Sequence, residues 1–257
     1  MYEEFKSHEI ANVLYATGSD ILTAYGEKNI NISRYMCVNN PRYYFQVNDE
    51  YVKNKLKLIL FPFLHKGRWM RAMEDDSSSF KSAMHDINAP DLYIPLMAFV
   101  TYVLLAAFFL VLCFCRFSPE SIGVQFSTGL MCWLMQVLLL EGTLHSLGGG
   151  GGSGEIILVP LLDVVSYAGY TFVGAAVVMA VRVSPHPVRW AHLMFCGATL
   201  WESFCMGVLL VKIVKRILVF EVPIFDKQMY STNKRNYVLL FVAAAQFPQL
   251  FWLGNVH

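Results

Sequence analysis

Charge is scarce in this chain. Asp, Glu, Lys and Arg make up 15% of its 257 residues, against 56% hydrophobic residues and a mean hydropathy of +0.45. That balance lies outside the usual range of soluble globular domains. Nor is one sign in excess, since 20 Lys+Arg against 19 Asp+Glu leaves a formal charge of +1. This argues against the basic footprint of a nucleic-acid binder. The six cysteines include no CxxC pair, and all but Cys37 fall in apolar segments, so neither a disulfide framework nor a zinc site is predicted. The start, Met1-Tyr2-Glu3-Glu4-Phe5, lacks the basic and early apolar regions of a secretory signal, which leaves the targeting to the first hydrophobic span.

Signatures of catalysis are also thin. Gly151-Gly152-Ser153-Gly154 matches the GxSG string of an intramembrane serine protease, but no helical GxxxH pattern supplies a base. The same run lacks the Lys-Ser/Thr of a phosphate-binding loop. No catalytic residue, cofactor or metal site is expected. His65 and His85 stand alone and are read as surface residues.

What the chain has is long hydrophobic runs. A helix needs about 20 mostly apolar residues to cross a hydrocarbon core roughly 30 Å thick, because each backbone polar group must bond within the segment. Five stretches qualify: residues 92–115, 122–147, 156–181, 190–211 and 237–253. Residues 1–91 carry 11 basic and 12 acidic residues, whereas residues 92–257 hold only nine and seven. The prediction is an all-α integral membrane protein: a bundle of five transmembrane helices (92–257) below a cytosolic N-terminal region (1–91) with short amphipathic helices.

Basic residues set the expected orientation. Lys53, Lys55, Lys57, Lys66, Arg68, Arg71 and Lys81 precede the first span, and Lys212, Lys215, Arg216, Lys227, Lys234 and Arg235 lie between the fourth and fifth. Both regions are therefore expected in the cytosol, and the four crossings that separate them agree. Arg182 and Arg189 run against this rule. A lumenal C-terminus follows, and with it an unmodified Asn31-Ile32-Ser33 sequon.

Within the head, Asn48 is a predicted N-cap for a helix whose apolar positions Val52, Leu56, Ile59 and Leu60 recur at helical spacing until Pro62 ends or kinks it. This basic amphipathic piece would pack on the bundle in preference to lying on the leaflet. Glu74-Asp75-Asp76-Ser77-Ser78-Ser79 reads as a loop or tether near 74–82, and Gly148 to Gly154 as a flexible connection.

Three carboxyls lie within the spans: Glu141, Asp163 and Glu202. An ionised residue at a helix centre costs on the order of 2.5–3.5 kcal/mol. In a transporter or lipid-handling bundle they would converge on one cavity, with Tyr167, Gly169 and Gly174 permitting close helix contact. Otherwise they sit near span ends, neutral or bonded to neighbouring helices, which is the expected arrangement.

Longer strings carry a resemblance. Ile32-Ser33-Arg34-Tyr35, the run from Tyr43 to Lys57, Leu60-Phe61-Pro62-Phe63-Leu64-His65, the run from Asp86 to Met97, Arg116-Phe117-Ser118-Pro119-Glu120 and the run from Leu161 to Tyr170 together closely resemble the Yif family, the Yip-interacting factors. The resemblance covers most of Ile30 to Trp252, departs at Gly148 to Gly154, and is slight in the first thirty residues. It implies a five-span protein of the endoplasmic reticulum, the ER-Golgi intermediate compartment and the Golgi, with a cytosolic N-terminus. It also implies a non-enzymatic role in ER-to-Golgi vesicle transport, beside a Yip-family membrane partner and Rab-type GTPases. No catalytic residue comes with it. The expected partner surfaces are Tyr43, Tyr44, Phe45, Lys53, Lys55 and Lys57 in the head, and Gly169 and Gly174 in the spans.

Overall fold

A computed structural model describes residues 41–65, 67, 69, 71, 83–114, 119–148, 159–185, 188–221 and 232–256. The Asn31 sequon, the 74–79 tether and nearly all of the glycine run lie outside the described residues. Every regular element among the described residues is helical. A short 3-10 turn, Pro41–Phe45, precedes α1 (Asp49–Leu60), followed by α2 (Tyr93–Phe114), α3 (Pro119–Gly148), α4 (Leu161–Gly169), α5 (Thr171–Val183), α6 (Val188–Glu221) and α7 (Thr232–Gly254).

Among the described residues, five segments are long and apolar enough to cross a membrane: Tyr93–Leu112, Glu120–Leu147, Leu161–Val183, Trp190–Ile217 and Asn236–Gly254. These are the five spans predicted from sequence, with ends moved by a few residues. Their outer faces leave Leu104, Phe108, Leu134, Leu138, Leu240 and Phe241 exposed. Lipid tails, as apolar as these side chains, are the solvent that such a surface fits. The chain is a multi-pass membrane protein.

The first helix forms where its caps dictate. The Asn48 side chain accepts a hydrogen bond from the Asp49 N–H at 2.7 Å, Asp49 and Glu50 occupy the first turn, and the Phe61 N–H closes the last turn on Lys57 O just before Pro62. Its buried face differs from the predicted one. Tyr51, Lys55, Leu58 and Ile59 point inward, whereas Val52, Leu56 and Leu60 are only half-buried. The helix rotates toward Lys55 because that ammonium finds two carbonyls inside. With this face α1 packs on α5 and α6.

The third span, Leu161–Val183, is one run in which the helix tightens for a residue between α4 and α5. At Tyr170 the backbone stays in the right-handed helical region, with Val173 N–H bonded to Tyr170 O at 3.0 Å. Just before Tyr170, the Trp133 indole N–H donates to Val165 O at 3.1 Å. Gly169 meets Pro95 and Trp133 so closely that a Cβ there would lie 2.5 Å from Pro95 Cβ. Only glycine allows that approach.

Spans four and five pack backbone to backbone at Gly207, where a Cβ would come within 3.2 Å of Ala243. Polar side chains bind the spans elsewhere: Gln246 donates to Gln136 at 3.3 Å, and Gln249 donates to Cys132 O at 3.1 Å. Arg182, which opposed the charge rule, has a structural partner. Its guanidinium lies 4.5 Å from the Phe109 ring centre and 5.0 Å from that of Phe195, and it donates to Gly254 O at the C-terminus of α7. A cation there complements the negative end of the helix dipole.

Candidate functional site

At the opposite end of the bundle, where α2 begins, the described residues between Pro41 and Asp91 form a cap tied down by two carboxylates, the buried Lys55 and the half-buried Arg71 and Arg216. Asp163, on α4, is the first anchor. It accepts the Tyr44 hydroxyl at 2.6 Å and Arg71 Nη1 at 3.0 Å, while Arg71 Nη2 donates to the Tyr43 hydroxyl at 3.0 Å. Burial works against the Arg71 charge, but Tyr167, Asp163 and Tyr43 outweigh it and raise its pKa. Burial, reinforced by the Asp163 carboxylate, pushes the Tyr44 phenol up, so it stays a hydrogen-bond donor.

Asp91 is the second anchor. Its Oδ1 caps α2 by accepting Ile94 N–H at 2.8 Å, and its Oδ2 accepts the hydroxyls of Tyr170 at 2.7 Å and Tyr51 at 2.9 Å. One carboxylate thus joins the cap helix, the first span and Tyr170 of the third. Burial and then Asp91 raise the Tyr51 phenol, keeping it protonated.

The cations hold the loop before α2. Lys55 Nζ donates to Ile87 O at 2.6 Å and Ala89 O at 2.9 Å, and Arg216 donates to Asn88 O at 2.9 Å and to the Tyr167 hydroxyl at 2.5 Å. Lys55 also faces the Tyr170 ring, 5.3 Å from its centre. Burial brings its pKa down to about 8, with Asp91 opposing that shift and Arg216 adding to it. Between Lys55, Trp69, Tyr167, Tyr170 and Arg216 lies a pocket no larger than a water molecule needs.

The predicted surface residues therefore divide. Phe45, Lys53 and Lys57 are exposed and Tyr43 is half-buried, but Tyr44 and Lys55 are interior. Lys55 was expected beside Lys53 and Lys57 on an outward face; it points inward because two loop carbonyls need a donor there. Gly169 and Gly174 are both buried within the chain, the first against Pro95 and Trp133 and the second against Glu202.

Asp163 and Glu202 do not converge. Asp163 belongs to the cap, while Glu202 abuts Gly174, eleven residues further along the third span, or about 16 Å at 1.5 Å per residue. Glu202 is buried, and its Oε2 has no hydrogen-bond partner among the described residues. Glu141 is half-buried near the end of α3. Among the described residues no three His, Cys, Asp or Glu side chains gather as metal ligands.

The profile of the YIF1 family matches residues 7–254. The chain belongs to the YIF1 family. It is 32% identical to human Protein YIF1B over 253 residues, covering 97% of this chain and 76% of that protein. It is 31% identical to zebrafish Protein YIF1A over 238 residues, covering 88% and 69%. Against the yeast Protein transport protein YIF1 it is 30% identical over 217 residues, covering 82% and 66%. No solved structure matches.

Several residues that anchor the cap of this YIF1-family chain were not picked out as a site from sequence. Asp91 entered only within the run from Asp86 to Met97, and Arg71 was one cation among seven. A signal existed for Tyr167 and Tyr170: two tyrosines three apart share one helix face, and a hydroxyl in an apolar run needs a partner. Nothing local named Asp91 as that partner.

Proposed function

We propose that the chain is a non-enzymatic membrane adaptor in ER-to-Golgi vesicle transport, working beside a Yip-family membrane protein as a hetero-oligomer and with Rab-type GTPases, directly or through other factors. It resides in membranes of the endoplasmic reticulum, the ER-Golgi intermediate compartment and the Golgi, with the cap and N-terminus in the cytosol and the C-terminus in the lumen. Membership of the YIF1 family and the transport role in the yeast relative's name support the reading.

The observation that carries it is the anchored cap. Asp163, the carboxyl that a transporter would turn toward a cavity, is occupied by Tyr44 and Arg71, and it fixes a protein surface in place of a ligand. That surface presents Phe45, Lys53 and Lys57 to the aqueous side, where an acidic partner would meet them. Gly169 and Gly174 act on the Yip contact indirectly, by setting the position of the third span.

Affinity purification of the tagged chain from mild detergent, with mass spectrometry of what accompanies it, tests the proposal. A Yip-family membrane protein and Rab-type GTPases are expected. Their absence from a preparation that retains the folded chain would count against it. Protease treatment of sealed microsomes should remove an N-terminal tag and spare a C-terminal one.

A further inference from the structure

We propose that the turn after α1, Phe61-Pro62-Phe63-Leu64, is inserted into the bilayer as a wedge in the leaflet at the Asp91 end, its occupant being the acyl chains of that leaflet. Phe61, Phe63 and Leu64 are 42%, 45% and 74% exposed, three large apolar side chains in four residues. Water is a poor solvent for such a turn. Their neighbours are the lipid-facing side chains of the fourth span. The Phe63 ring stacks on Phe204 with centroids 5.3 Å apart, and Phe61 lies 6.3 Å from Trp201. Trp201 and Phe204 are themselves exposed, within the apolar stretch Trp190–Ile217. The turn therefore continues a surface that already faces lipid.

Depth follows from the register of α6. Lys212 donates to Pro62 O at 2.9 Å and its ammonium lies 4.6 Å from the centre of the Trp69 ring, an arrangement suited to the headgroup boundary. Phe204 and Trp201 precede Lys212 by eight and eleven residues, about 12 and 16 Å along the axis. Half of a hydrocarbon core is about 15 Å. The rings of Phe61 and Phe63 thus reach below the headgroups.

Much of the turn's backbone is satisfied within the chain. Phe61 N–H is bonded to Lys57 O, Pro62 has no N–H and gives its carbonyl to Lys212, and Leu64 N–H is bonded to Phe61 O at 3.1 Å. Irregular backbone survives near hydrocarbon only where its polar groups find partners in this way. The cap would then displace lipid on one side of the molecule and in one leaflet only.

The test places an environment-sensitive nitrobenzoxadiazole dye at Leu64→Cys, in a chain whose other cysteines are replaced, reconstituted in phosphatidylcholine nanodiscs. Lys53→Cys serves as the aqueous control and Leu200→Cys as the lipid-facing control. Blue-shifted emission at position 64, with at least twofold quenching by lipids carrying a nitroxide at acyl carbon 5, is expected. Emission and iodide quenching like those at position 53 would overturn the proposal, as would a dye shielded from both quenchers. With unaltered cysteines, a phospholipid bearing a diazirine on its acyl chain should crosslink to the peptide containing residues 61–64. If labelling is confined to the five spans, the turn is not inserted.

Discussion

Replacing Arg71 with Met probes whether the cap is held down by its buried ion pair. Arg71 Nη1 lies 3.0 Å from Asp163 Oδ2, with the two side chains 14% and 5% exposed. At an effective dielectric of about 20, two unit charges 3 Å apart attract by about 5 kcal/mol. Desolvation offsets much of that, but removing one member of a buried pair strands the other and costs about 3–5 kcal/mol. In Arg71→Met the stranded group is Asp163, left with the Tyr44 hydroxyl alone. Asp163→Asn should cost somewhat less, about 2–4 kcal/mol, because the amide oxygen still accepts from Tyr44 and Arg71 keeps Tyr43, although the new N–H2 group faces the guanidinium that it formerly paired. The double substitution should recover part of the larger loss, since no unpaired charge remains. Hydrogen–deuterium exchange of residues 41–60 in detergent reads the result directly. A loss of 3 kcal/mol corresponds to exchange faster by about two orders of magnitude. Exchange in Arg71→Met within threefold of the parent, or a double variant whose cost equals the sum of the singles, would refute the reasoning.

Lys55 provides a pH signature. Its folded-state pKa of about 8 lies below the ordinary 10.5, so between those values the unfolded chain binds more protons and stability rises with pH. The window is worth about 3 kcal/mol, and Lys55→Met should flatten that part of the melting-temperature profile between pH 8 and 10.5. Equal slopes in the two proteins would exclude Lys55 as the source. Gly169→Ala should destabilise by about 1–3 kcal/mol, because the new methyl meets the stiff Pro95 ring, whereas Gly174→Ala should cost under about 1.5 kcal/mol, its methyl reaching ordinary contact with Glu202 at 3.4 Å. Thermal melting in detergent distinguishes the two. Glu202→Gln preserves shape and replaces an Oε2 that has no hydrogen-bond partner among the described residues, so the midpoint should hold; a fall of more than about 4 °C would refute that. Lys53→Gln with Lys57→Gln should weaken salt-dependent recruitment of acidic cytosolic partners in pull-downs without lowering the melting temperature, since both side chains are exposed.

Five spans, the Asn48 cap and the stop at Pro62 were legible in the amino-acid order because each depends on neighbours in the chain. A run of uncharged residues long enough for the hydrocarbon is a local property. So is a side chain that bonds the next helix's first N–H. The carboxyl Asp163 was legible as an expense in search of a partner, and the partner was not. Tyr44 stands 119 residues away from it and Arg71 stands 92 away. Lys55 could be placed on a basic helix, yet its direction depended on two loop carbonyls more than thirty residues ahead. The close packing at Gly169 required Trp133 and Pro95 to arrive from other spans. Sequence alone thus determined which segments enter the membrane and where the head helix starts and stops. Only the tertiary structure decided which charges are spent on the cap and which face outward, because burial and pairing belong to groups brought together from distant parts of the chain.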